Sequence, residues 1–268
     1  MAKRRSKKSL VLPRDDLNLG VPMPRTGSTA YLDFLQSFRK VNSFLDYILR
    51  MVAHIESVAN TAHETLLKGA TPKKKAQLER DWKNRKSPLD ELKKNRQFFM
   101  EIIVVRHVEN YLNYLSSMLR EIFVSRPETL RSSEKIDLET VLRHGSINDL
   151  VLTIAERKVE NLTYSSIQDL EEFFSERFHL KLIEDDQRKV LVDAIETRNI
   201  SVHNRCVINK RYIARTGNKS LPEGSLRDLG YGDVKKFAKL FATSVASIDK
   251  DARKRLKVPG RRSPKPGE

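Results

Sequence analysis

The stretch FLQSFRKVNSFLDYILRMVAHIESVANTAHETLLKG, running from Phe34 to Gly69, decides the fold class. Phe34, Phe38, Val41, Leu45, Ile48, Val52, Ile55, Ala59, Ala62 and Leu66 recur at alternating intervals of four and three. That period draws one apolar seam along a helix of about ten turns. Gly69 supplies the stop, because glycine readily takes the left-handed conformation that follows a helix end. A heptad seam also suits a coiled coil, but Phe and Ala are poor zipper residues. The expectation is that this helix packs on later helices of its own chain.

Outward from this segment the helical pattern continues. Thr71-Pro72 and Ser87-Pro88 each read as an N-cap followed by proline at the first helical position. They bracket a short basic helix that holds the sole tryptophan, Trp82, and open a long one from Pro88 to about Phe123. Its expected seam is Leu92, Phe99, Ile103, Arg106, Asn110, Asn113 and Ser117, flanked by Ile102, Val105, Val108, Leu112, Leu115 and Leu119. Arg126-Pro127 ends it. A helix from Ile147 to about Leu162 follows. Ser165 then opens another through a capping box with Gln168, carrying Leu170, Phe173, Phe174 and Phe178. Asp185 or Asp186 caps the next, and Asp233 caps a last helix with Phe237, Phe241, Val245 and Ile248 along its seam. The fold class is therefore all-α, a helical bundle with a long N-terminal helical arm. The expected division is a basic disordered tail at 1–28, an arm at 29–87, a helical domain at 88–250 and a second basic disordered tail at 251–268.

Charge narrows the partners. The net charge is +16. Residues 1–8 carry five Lys or Arg and no acid, while 251–268 carry seven against Asp251 and Glu268, leaving +6 for the body between them. Such tails either keep a protein soluble or draw it to polyanions such as nucleic acid. The single cysteine, Cys206, rules out an internal disulfide and any multi-cysteine zinc site. The densest apolar run, Ile102 to Val105, is too short to span a bilayer, and no apolar stretch follows the basic start. The expected setting is cytoplasmic, with no membrane partner. No metal-ligand spacing is present: His63-Glu64 lacks the second histidine a zinc helix needs, and His54, His107, His144 and His179 are scattered. Gly217-Asn218-Lys219-Ser220 lacks the upstream glycine and strand of a phosphate loop. Neither a cofactor nor a metal is expected.

What remains is the run Glu196-Thr197-Arg198-Asn199-Ile200-Ser201-Val202-His203-Asn204. Guanidinium is a permanent cation whose planar fork fits phosphate oxygens, and imidazole exchanges protons near neutral pH. A neutral imidazole could take the proton from a ribose 2′-OH while the arginine stabilises charge on the phosphate. The spacing alone is close to chance; the flanking Asn199, Val202 and Asn204 supply the specificity. On an ideal helix a five-residue offset leaves the two side chains about 140° apart. Either the helix loosens before Asn204, or the working pair comes from two chains. The plainer reading is a structural arginine at helix-end carbonyls and a histidine favoured by the helix dipole. Arg205, Lys210, Arg211 and Tyr212 follow; they could guide RNA through phosphate contacts and one stacking face, or form a solvated basic loop.

This run, continuing as Arg205-Cys206-Val207-Ile208-Asn209-Lys210-Arg211-Tyr212-Ile213, resembles the signature of the HEPN superfamily (higher eukaryote and prokaryote nucleotide-binding domains). More loosely, Arg106 to Phe123 and Ile147 to Leu180 are similar to the family's helices before the motif. The resemblance covers about 95–215. It implies an all-α bundle that forms a homodimer, with two arginine–histidine pairs converging in one cleft. It also implies a metal-independent ribonuclease, often a toxin or phage-defence effector with a cognate antitoxin or defence-system partner. Carried onto this chain, Arg198 and His203 are the catalytic pair and Asn199 orients them. Asn204, Arg205, Lys210, Arg211 and Tyr212 are the candidate RNA contacts. The alternative is a HEPN-fold module that binds nucleic acid or protein without cutting.

Overall fold

A computed structural model describes residues 21–130, 135–163 and 166–263. The basic start of the chain, Met1 to Lys8, and the expected cap Ser165 lie outside the described residues. Among the described residues the regular structure is α-helical apart from two 3₁₀ turns and one two-residue strand pair: α1 (Thr29–Lys68), α2 (Pro72–Asn84), α3 (Pro88–Lys94), α4 (Arg96–Ser125), α5 (Leu138–Leu142), α6 (Ile147–Thr163), α7 (Ile167–Phe178), α8 (Arg188–Asn204), α9 (Lys210–Thr216) and α10 (Tyr231–Arg255). No helix among the described residues is long and apolar enough to cross a membrane.

α4 is the hub, and α1, α6, α8 and α10 all pack on it. Its buried residues run from Met100 through Ile103, Val104, Val108, Tyr111, Leu115 and Met118 to Phe123, so the helix is enclosed on more than one face. Apart from the imidazole of His107, the buried side-chain polar groups of this helix find partners, as burial in a low dielectric demands. Asn110 Nδ2 donates to the Phe34 carbonyl at 3.1 Å, and Tyr114 Oη to the Val245 carbonyl at 3.2 Å. Tyr111 Oη lies 3.0 Å from Ser244 Oγ, which itself donates to the Leu182 carbonyl. The expected seam on this helix is correct at Ile103 and Asn110, but Arg106 and Ile102 face solvent.

The long helix expected from Pro88 is two helices. Asn95 interrupts it with ψ 11°, and its side-chain amide donates to the Glu91 carbonyl at 2.9 Å. That local bond competes with helix continuation, the usual reason asparagine sits at ends rather than in interiors. Capping differs from expectation elsewhere too. The box at α7 is Ser166 with Asp169, which exchange bonds of 3.2 and 2.9 Å. Asp185 and Asp186 lie in a 3₁₀ turn, Asp185–Gln187, before α8. Asp233 serves α10 from the third helical position, accepting the Gly230 N–H at 2.9 Å.

α1 is only partly an arm. Its first half is core: Leu35, Phe38 and Leu45 are fully enclosed. Beyond Leu45 no residue of α1 is buried, so the expectation that its whole seam packs on the chain's own helices fails there. The 87/88 division between arm and domain therefore does not match the packing. The outer half is braced by α2 and α3 through Glu56, whose carboxylate accepts from Arg85 and Ser87. Trp82 of α2 stacks on His63 of α1 at 4.2 Å between ring centres, with the Arg85 guanidinium 4.0 Å from the ring.

The C-terminal segment is not the expected tail over 251–263. α10 continues to Arg255, Ala252 and Val258 are buried, and Arg261–Arg262 (β2) pairs antiparallel with Thr26–Gly27 (β1). Its arginines find acceptors: Arg261 reaches Asp33 Oδ1 at 2.7 Å, and Arg253 the Thr26 carbonyl at 3.1 Å. Composition suggested disorder, yet the apolar period runs on past Ile248. Likewise residues 21–28, expected in the first tail, are placed: Ser28 caps α1, accepting the Tyr31 N–H at 3.1 Å, and donates its own N–H to Asp249 at 3.0 Å.

Candidate functional site

The motif lies in the last two turns of α8. Leu191, Val192, Ala194, Ile195, Glu196, Thr197 and Ile200 are buried, so that helix is enclosed on more than one face. The helix does not loosen: it is α-helical through Asn204. Arg205 (φ 51°) and Cys206 (φ 59°) then take successive left-handed conformations, rare for non-glycine residues, and both N–H groups return to the Ile200 carbonyl. Asn204 locks the exit, its Nδ2 donating to the Val207 carbonyl at 2.6 Å while its own carbonyl accepts the Val207 N–H at 2.9 Å. The chain then zips onto the segment around Leu226, with Arg227 N–H on the Cys206 carbonyl at 2.9 Å.

An intact helix keeps Arg198 and His203 about 140° apart. Arg198 is directed at α4, where its Nη2 lies 3.5 Å from Glu109 Oε1; its Nη1 donates to Asn199 Oδ1 at 3.3 Å. Its Nε is buried and has no partner among the described residues. Glu109 also faces Arg106, at 3.5 Å. One carboxylate thus stands between two guanidiniums, which leaves a net positive seat at the α4–α8 contact. His203 is exposed on the final turn, with no hydrogen bond or ion pair among the described residues. Arg106 and Glu109 were not singled out from sequence as a site. The Arg-x-x-Glu spacing puts them on one helix face, but nothing in the sequence says that Arg198 meets it.

The candidate RNA contacts divide. Arg205, Lys210 and Arg211 are exposed, with Arg211 Nε 4.0 Å from Glu196 Oε2. Tyr212 is a correction: it is fully buried, so its ring cannot stack on a base. Its phenol, pushed up to about 12 by burial and by the bond it donates to Asp193 at 2.6 Å, is a structural anchor. The Asn204 amide donor is likewise committed to its own turn. Cys206 is enclosed, and burial pushes its thiol up, so it is no nucleophile.

Behind Tyr212 lies a cluster the sequence did not reveal. Arg227 Nη2 sits 3.4 Å from Asp193 Oδ2 and 2.8 Å from Asp233 Oδ1, tying α8, the segment before α10 and α10 itself. All three side chains are largely buried. Removing the guanidinium alone leaves two carboxylates without their cation. Arg227→Met is therefore expected to cost roughly 3 kcal/mol, seen as a fall of about 10 °C in Tm. A Tm within a degree of wild type would contradict this role.

Among the described residues no group of three His, Cys, Asp or Glu side chains could hold a metal ion. Comparison with known proteins finds no matching family model, no similar curated protein and no similar solved structure.

Proposed function

We propose that the chain is a metal-independent endoribonuclease of HEPN type, acting as a homodimer in the cytoplasm. The observation that carries this reading is the division of the motif. Arg198 is held by Glu109 and Asn199 in a cationic seat, while His203 stands unengaged on another face of the same intact helix. A guanidinium fixed by a carboxylate presents its remaining edge to a phosphate in one orientation. An exposed imidazole without a structural partner is free to move a proton. Because the two face apart, each working pair joins Arg198 of one chain to His203 of the other.

In this reaction His203 removes the 2′-OH proton, O2′ forms a bond to phosphorus, and the P–O5′ bond breaks. The 5′ oxygen leaves with a proton, giving a 2′,3′-cyclic phosphate and a 5′-OH end. Arg198, supported by Arg106, stabilises the extra charge on the phosphoryl oxygens. Arg205, Lys210 and Arg211 extend the phosphate contacts, and the family resemblance adds a toxin or phage-defence role with a cognate antitoxin or defence-system partner.

The test is cleavage of an RNA in EDTA beside the same strand carrying 2′-deoxy nucleotides. The RNA is expected to be cut to cyclic-phosphate ends and the deoxy strand to survive. Equal cleavage of both, or none without added metal, would remove this mechanism. Tight RNA binding without cleavage would leave the non-catalytic binding module as the function.

A further inference from the structure

The outer half of α1 carries a second apolar seam that no described residue covers. Phe44, Ile48, Met51, Ile55, Val58 and Ala62 repeat at alternating intervals of four and three. Phe44 is 55% exposed, Met51 43%, Ile55 42% and Val58 54%. Tyr47 and Leu66, at its margins, are exposed as well. Isolated apolar residues on a surface need no explanation, but a continuous row of them marks an interface. We infer that this seam pairs antiparallel with the same seam of a second copy of the chain.

Three observations select that occupant. First, the seam is a neutral island on a protein that is 32% charged and carries +16. The side chains beside it are Tyr47, Val52, His54, Ala59 and Thr61, with no Lys, Arg, Asp or Glu. The charges of this half-helix are turned elsewhere: Asp46 pairs with Arg50 at 2.7 Å, and Glu56 is taken by Arg85 and Ser87. Two copies of a basic protein can approach only where like charges are absent, and flanking charges would normally set partner and register.

Second, the seam tapers. Its N-terminal half holds Phe44, Tyr47 and Met51, and its C-terminal half sets the small Ala59, Thr61 and Ala62 between Val58 and Leu66. Antiparallel pairing about Ile55 sets Ile48 and Met51 against Ala62 and Ala59, so large meets small. Parallel pairing would crowd Phe44 on Phe44 and leave Ala62 facing Ala62, a void at one end. Third, a groove of about 970 Å³ adjoins the bulky end, lined by Val21, Met23, Phe44 and Tyr47 and also by Arg39, Lys40, Asp46 and Arg50. Leu66 of the second copy falls opposite Phe44 in this pairing, at the mouth of that groove.

The experiment uses the full chain. Met51→Glu/Ile55→Glu/Val58→Glu alters only half-exposed side chains, so the circular dichroism spectrum is expected to match wild type, while Tm falls by the stability the partner contributed. Its mass by sedimentation equilibrium is expected to be half that of wild type. Orientation is read by oxidation. Phe44→Cys and Leu66→Cys chains, mixed, are expected to cross-link to each other, and neither alone to itself; the native Cys206 is buried and does not interfere. Equal masses for variant and wild type would overturn the proposal, and Phe44→Cys self-cross-linking would overturn the antiparallel arrangement. Mass and cross-linking report the seam whether or not the chain cuts RNA, so failure of the seam and failure of the nuclease reading are told apart without using cleavage by the monomeric variant.

Discussion

His203→Ala is expected to lower single-turnover RNA cleavage by about 10²–10⁴-fold, the range for loss of a positioned general base. Arg198→Ala should fall at least as far, and Arg198→Lys should not recover, because a point charge cannot replace the fork that Glu109 and Asn199 hold. Folding is expected to survive both changes: His203 is exposed, and Arg198 is only partly buried. The decisive form of the experiment mixes the two inactive chains in equal amounts. If each site joins Arg198 of one chain to His203 of the other, half the dimers are mixed and each rebuilds one site of two. Activity then returns to about a quarter of wild type. Mixtures as inactive as their components would refute the two-chain site, and full activity in either single variant would refute the catalytic pair.

The second large effect is a loss of stability in acid caused by His107. This side chain is 1% exposed, packs at a tilt against Phe38 with ring centres 5.1 Å apart, and neither ring nitrogen has a partner among the described residues. Burial pushes its imidazole down to about 4. Between that value and the unfolded value near 6.5 the unfolded chain binds a proton that the folded chain refuses. Stability is therefore fully present above about pH 6.5 and is lost as pH falls towards 4, by about 3 kcal/mol. His107→Leu keeps the volume and removes this term. Urea denaturation at pH 7 and pH 4.5 should show a smaller difference for the variant by about that amount, with the carboxylates common to both. Parallel losses in the two proteins would show that His107 is not the cause.

The candidate site was legible as a string and not as a place. Arg198, Asn199 and His203 stand on one helix end, as their spacing demanded, and that helix stays regular to Asn204. Their partners were hidden: Glu109 and Arg106 are some ninety residues earlier in the chain. Tyr212 looked like a stacking ring beside basic residues, but the turn at Arg205 and Cys206 folds it inwards onto Asp193. Local chemistry names a side chain's capabilities; the direction it points depends on a backbone reversal that two left-handed residues set. Charge composition misled at the C terminus for a related reason. Arg253 and Arg261 count as solubilising cations in a sum, yet each closes on an acceptor that only the folded chain presents.

By itself the sequence determined the helical class, most helix positions and the motif, because these follow from periods of three to four residues and from caps a few residues wide. Tertiary structure decided which seams meet. α1 spells one continuous apolar period from Phe34 to Leu66, but α4 and α10 cover only its first half. Where the enclosing helices end, the same pattern changes from core to open surface. Burial depends on what lies opposite, and no local spacing records that.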